Sequence, residues 1–211
     1  MTPNLLLALL MLSNFLLVTA SRLPRVIQLA ASQGVLLGAL LLSMRGDLHL
    51  HVVAMALGST VIKAGLIPWM LRRALSRVKI HRELSPYIGF GTSLLICAFA
   101  TGLSLLIAGS LPTAPRTGHS LFVPAALATL FTGFLVLVSR RTALAQVVGY
   151  LVLENGIYIF GLLLARDMPL FVEVGVLLDL FVAIFVMGIV INHIQRTFDS
   201  LDTQHLSRLK D

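Results

Sequence analysis

The sequence predicts an all-α, polytopic membrane protein of seven transmembrane helices, with the N-terminus outside and the C-terminus cytoplasmic. Three observations carry this reading. The first is composition: of 211 residues, 57% are hydrophobic and 12% charged, and the mean hydropathy is +0.95. Soluble domains are far more polar. The second is pattern. The apolar runs are continuous, unlike the alternating segments of a membrane β-barrel. About twenty residues span the hydrocarbon core, and such runs fall near 4–20, 26–44, 50–71, 86–109, 121–138, 142–165 and 169–192. The third is the basic residues. The connections after helices one, three and five, with the tail, hold Arg22, Arg25, Arg72, Arg73, Arg77, Lys79, Arg82, Arg140, Arg141, Arg196, Arg208 and Lys210. The opposite side holds Arg45, Arg116 and Arg166. This asymmetry sets the orientation by the positive-inside rule.

The formal charge of +7 is therefore a topological signal. It points to the lipid bilayer and not to nucleic acid. Cys97 is the single cysteine, so the chain has no internal disulfide and no cysteine-based zinc or iron–sulfur site. Walker, H-E-x-x-H and G-x-S-x-G motifs are absent from the sequence, as is a pair of histidines suited to haem. The chain is not expected to catalyse a reaction alone, nor to hold a metal.

Taken in order, helix one lacks a positive n-region and reads as a retained span, not a signal peptide. Helix two carries Gly34-x-x-x-Gly38, a small-residue pattern that permits ordinary close packing. Helix three carries Lys63, Gly65 and Pro68. Pro68 brings no N–H, so a kink is expected there, with Gly65 adding local freedom. Two readings of Lys63 stand: a buried functional cation, or a side chain snorkelling toward Arg72 and Arg73. The distance to that boundary, about eight residues or roughly 12 Å, is long for a snorkel. Arg72 to Ser85 then forms a basic connection, suited to anionic lipid or to an acidic partner subunit.

Helix four is uniformly apolar. His119 reads as a loop residue, and His49 and His51, at i, i+2, do not share a helical face. Helix six follows Arg140–Arg141 and carries Gly149, Glu154, Asn155 and Gly156. Helix seven carries Glu173 near its outer end and Asp179 within a Gly175–Asp179–Ala183 stripe. The tail, 193–211, has an amphipathic pattern suited to an interface or a partner. The chain thus divides into 1–85, 86–120, 121–192 and the tail.

Counted from the span boundaries, Lys63, Glu154 and Asp179 fall at one depth, near the bilayer midplane. A charge there costs about 2.5–3.5 kcal/mol on the insertion scale, and such groups commonly form ion or proton relays. The alternative is that they specify helix pairing within a larger assembly.

The run from Ser139 to Gly156, with Glu154 and Asn155, resembles hydrogenase-4 component E, as do Ile62–Pro68 and Leu201–Lys210. That family consists of membrane subunits of group 4 nickel–iron hydrogenase and formate hydrogenlyase complexes. Residues 121–192 also resemble, more distantly, the three-helix NuoK-type subunit of complex I and its relative in cation/proton antiporters. Glu154 stands one turn, about 5 Å, beyond the position of the NuoK-type glutamate. The resemblance implies antiporter-like membrane subunits, a membrane anchor subunit and soluble hydrogenase subunits as partners. The nickel–iron site and iron–sulfur clusters would lie in those partners, with no cofactor in this chain. It implies a bacterial or archaeal inner membrane and a proton (or sodium) path coupled to electron transfer. Glu154 and Asp179 would be carriers, Lys63 a charge modulator and Glu173 an outer contact. An antiporter subunit without redox chemistry, or an assembly scaffold without an ion path, are the other readings.

Overall fold

The computed structural model describes residues 3–44, 57–77, 87–110, 121–164 and 188. Among these are six helices and no strand. They are α1 (Pro3–Thr19), α2 (Leu23–Met44), α3 (57–77), α4 (Phe90–Ser110), α5 (Phe122–Ser139) and α6 (Ala143–Leu164). Four of them, α2, α4, α5 and α6, are long and apolar enough to cross a membrane, while α1 is apolar but spans 17 residues. The boundaries lie within a few residues of those the apolar runs predict. The seventh helix expected at 169–192, with Glu173 and Asp179, lies outside the described residues, Gly188 apart. So do the tail, His49, His51 and His119.

The third helix differs from expectation in two ways. It does not end at the arginine boundary but runs on to Arg77, so the basic stretch begins as helix. Leu71 and Leu75 hold this extension to the apolar core, while Arg72 and Arg73 are exposed. The second difference is a π-helical segment, Val61–Leu66, in its middle, closed by the Ile67 N–H bonding to the carbonyl of Ile62 five residues back. This wider turn precedes Pro68, and the chain stays helical through it. Gly65 lies within the widened turn, with open space where a Cβ would point.

Helices α5 and α6 pack closest. A Cβ at Gly133 would overlap the backbone of Leu153, and one at Gly156 would fall 2.6 Å from the Leu130 nitrogen. Only residues without a Cβ permit this approach. The Gly34–Gly38 pair plays the same part between α2 and α3. Gly34 lies against Lys63, and Gly38 against the hydroxyl of Thr60.

One end of the bundle gathers the arginines among the described residues. Arg140 is buried there, its Nη2 donating to the Val18 carbonyl at 2.8 Å and its guanidinium lying 4.9 Å from the Phe90 ring centre. Burial lowers its pKa from the usual arginine range. Arg141 is exposed and rests on Tyr87, whose N–H bonds to the Ser139 carbonyl. Because Leu17, Val18, Leu23, Leu71 and Leu144 share one apolar cluster, the ends carrying Arg22, Arg25, Arg72, Arg73, Arg140 and Arg141 are together. The sequence expects these connections on one side; Arg45, Arg116 and Arg166, expected on the other, lie outside the described residues.

The core is divided. One apolar cluster, at the basic end, includes Leu17, Val18, Ile27, Ile67, Val136 and Val148. A second, toward the other end, includes Leu7, Leu10, Leu40, Phe122 and Ile159. Between the two lie buried polar residues on four helices: Ser13 and Asn14 on α1, Gln33 on α2, Thr129 and Thr132 on α5, and Glu154 and Asn155 on α6.

Candidate functional site

That polar layer is where the sequence places its mid-depth charges. Lys63, in the π segment of α3, and Glu154, on α6, are both buried. Lys63 Nζ lies 3.4 Å from Glu154 Oε1, with side-chain exposures of 6% and 3%. Neither reaches solvent, so Lys63 is not a snorkelling lysine in this arrangement. Glu154 is the only carboxylate among the described residues. Asp179 and Glu173, expected to join it, lie outside them.

Lys63 has further partners. Its Nζ donates to Asn155 Oδ1 at 3.3 Å and sits 4.8 Å from the Tyr158 ring centre. Tyr158 follows Glu154 by one turn on α6, so both face α3. A cation over an aromatic face gains from the ring quadrupole, most where water is excluded. The two polar contacts are longer than the roughly 2.8 Å of a tight charge-assisted bond. Lys63 thus lies between Glu154, Asn155 and Tyr158.

The layer extends beyond the pair. Asn155 Nδ2 donates to Gln33 Oε1 on α2 at 3.2 Å. Gln33 Nε2 donates to Ser13 Oγ at 2.8 Å and Asn14 Oδ1 at 2.9 Å on α1. Asn14 Nδ2 donates to Thr129 Oγ1 on α5 at 2.9 Å. All these side chains are buried. A buried amide without a partner costs about 1–3 kcal/mol, so such a layer is stable only when its members satisfy one another.

Ser13, Asn14, Gln33, Thr129 and Tyr158 escape a search of the sequence restricted to charges. A signal was present: Gln33 is the eleventh of 22 residues in α2, at mid-length of the span. Depth matching applied to uncharged polar residues finds it. Among the described residues, no group of three His, Cys, Asp or Glu could hold a metal ion. Cys97 is buried beside Thr132, with Sγ 3.4 Å from its hydroxyl.

Chemically, the pair can take up or release a proton, or exchange a small cation against Lys63. Protonating Glu154 would leave the buried Lys63 cation without its counter-charge, which is costly in low dielectric. A charge change at Glu154 therefore shifts the balance of forces on Lys63 at once.

The chain is similar over nearly its whole length to uncharacterised protein Rv0085 of Mycobacterium tuberculosis, at 32% identity over 205 residues, covering 96% of this chain and 93% of that one. It is also similar to hydrogenase-4 component E of Escherichia coli and of Shigella flexneri, at 29% identity over 150 residues, covering 71% of this chain and 69% of theirs. No protein-family model matches the chain. No solved structure matches it.

Proposed function

The chain belongs to one family with the Mycobacterium tuberculosis protein Rv0085 and is homologous to hydrogenase-4 component E, and on that premise we propose that it is a membrane subunit of a hydrogenase-type, complex-I-related assembly. Within it, the chain carries part of a proton (or sodium) path coupled to electron transfer. The observation that supports this most directly is the buried Lys63–Glu154 pair in a polar layer between two apolar clusters. A cation and a carboxylate at that depth are each expensive in lipid, and an ion path is a function that accounts for the cost.

Glu154 is the proposed carrier, with Asp179 as a second on a seventh helix and Glu173 as an outer-side contact. Lys63 is the modulator, held between Glu154, Asn155 and Tyr158. When a proton reaches Glu154, the attraction holding Lys63 to the carboxylate falls and its bond to Asn155 gains weight. When the proton leaves, the pair re-forms. With one cysteine in 211 residues, the chain has no ligand set for an iron–sulfur cluster or a nickel–iron site. Those belong to soluble partners, alongside antiporter-like and anchoring membrane subunits, in a bacterial or archaeal inner membrane. The basic end faces the cytoplasm in this reading, by the positive-inside rule.

Extraction from native membranes in mild detergent tests the assembly. Nickel and iron–sulfur protein are expected to co-purify in stoichiometric amounts; antiporter subunits alone would replace the hydrogenase reading with an antiporter one. Glu154→Gln tests the path. Ion coupling is expected to stop while the complex still assembles, and coupling at the wild-type level would overturn the role given to Glu154.

A further inference from the structure

The hydrogen bonds beyond Lys63 all run one way. An ammonium group donates and never accepts. Its partner on Asn155 must therefore be the carbonyl Oδ1. That leaves Asn155 Nδ2 facing Gln33, so Gln33 presents Oε1. Its Nε2 then faces Ser13 and Asn14, and Asn14 presents Oδ1 to it and Nδ2 to Thr129. Every amide turns its oxygen toward Lys63 and its nitrogen away. Reversing one would require reversing Asn155, Gln33 and Asn14 together and would set Nδ2 against the ammonium.

We propose that Gln33 is a positioning residue for the Lys63–Glu154 pair, locking the Asn155 carbonyl toward Lys63 and making the α1–α2–α5 side of the pair a wall that passes no proton. Gln33 is suited to this because it is held twice. It accepts from Asn155 on one side and donates to both Ser13 and Asn14 on the other. Ser13 is itself anchored, its hydroxyl donating to the Leu10 carbonyl at 2.7 Å. Gly34, the next residue, brings α2 against Lys63 and sets the distance. The wall follows from chemistry. A proton crosses a hydrogen-bond chain only where each member can accept on one side and release on the other. A neutral amide nitrogen accepts nothing. Protons that use Glu154 therefore enter and leave on the face turned away from Gln33. This inference refines the ion-path reading and rests on it for its purpose, but not for its geometry.

The test uses the full chain in lipid nanodiscs. Lys63, Lys79 and Lys210 are its three lysines, so ¹⁵N-lysine labelling gives few ammonium signals, assigned with Lys79→Arg and Lys210→Arg. Gln33→Met keeps the side-chain length and removes all three bonds. Water exchange of the Lys63 ammonium protons is expected to quicken about ten-fold or more, as the local protection is lost. Gln33→Glu retains an acceptor for Asn155 but loses both bonds donated by Nε2 and sets a carboxylate oxygen against Asn14 Oδ1, so its exchange is also expected to quicken, and wild-type exchange in both variants overturns the proposal. Should Gln33→Met not fold, Ser13→Ala, which removes one acceptor of Gln33 Nε2, replaces it: faster exchange supports the role and unchanged exchange overturns it. Redox partners are absent from this measurement. Faster exchange with undiminished pumping by Glu154→Gln would reject the ion path alone, and lost pumping with unchanged exchange would reject the positioning role alone.

Discussion

The Lys63 ammonium lies 3.4 Å from Glu154 Oε1, and both side chains are almost wholly shielded from solvent. Removing one partner of such a pair strands the other charge. Lys63→Met is expected to destabilise the protein by about 3 kcal/mol, and Glu154→Leu by a similar amount. The double variant removes both charges and is expected to recover much of that loss. Thermal unfolding of the four proteins in one detergent checks the non-additivity, and simple addition of the two losses would mean that the charges act independently.

The α5–α6 seam should be the least forgiving apolar contact. Gly156→Ala places a methyl group against the Leu130 backbone and is expected to cost about 1–3 kcal/mol as overpacking. Gly161→Ala, on the same helix, meets open space, and is expected to be neutral or slightly stabilising. Unfolding midpoints of the two variants measured side by side decide this.

The two arginines at the α5–α6 turn should behave differently. Arg140→Ala loses a buried charge-assisted bond to Val18 and is expected to cost about 2 kcal/mol. Arg141→Ala removes an exposed side chain and should stay within about 0.5 kcal/mol of the parent. Equal effects in a denaturation series would show that Arg140 does not tether α1.

Cys97 offers a probe of packing. Its thiol is buried between α4 and α5, so a maleimide is expected to leave it unmodified in the folded protein and to label it once the bundle is unfolded. Mass spectrometry before and after denaturation reads this directly. Rapid labelling of the folded chain would place α4 farther from α5.

The shared depth of Lys63 and Glu154 was legible because charges stand out in apolar runs and their depth can be counted from the span ends; that the two side chains pair was not. Rotation about each helix axis cannot be counted that way. Hence the amides of Asn14 and Gln33, polar but uncharged, did not separate from residues facing lipid. The π segment was hidden for another reason: one widened turn leaves the apolar pattern of α3 almost unchanged, and only Gly65 and Pro68 hint at it. Arg140 and Arg141 look alike in sequence. They differ because the extended backbone at Arg140 (φ −103°, ψ 139°) ends α5 and turns one guanidinium inward while the next stays outside. The Gly34–Gly38 pattern reads as ordinary packing, yet what it packs against is Lys63 and Thr60.

The placement of Lys63 also bears on how the chain is built. During synthesis α3 reaches the membrane well before α6, since Asn155, a hydrogen-bond partner of Lys63, lies 92 residues further on. Until then the lysine has no carboxylate beside it, and holding it at the bilayer centre costs about 2.5–3.5 kcal/mol. Before α6 is made, Lys63 lacks the Glu154 carboxylate and can lower that cost only by reaching toward the interface. Chains truncated before Glu154 are therefore expected to hold α3 less stably than chains that include α6, which ties the anchoring of one helix to the synthesis of another 92 residues later.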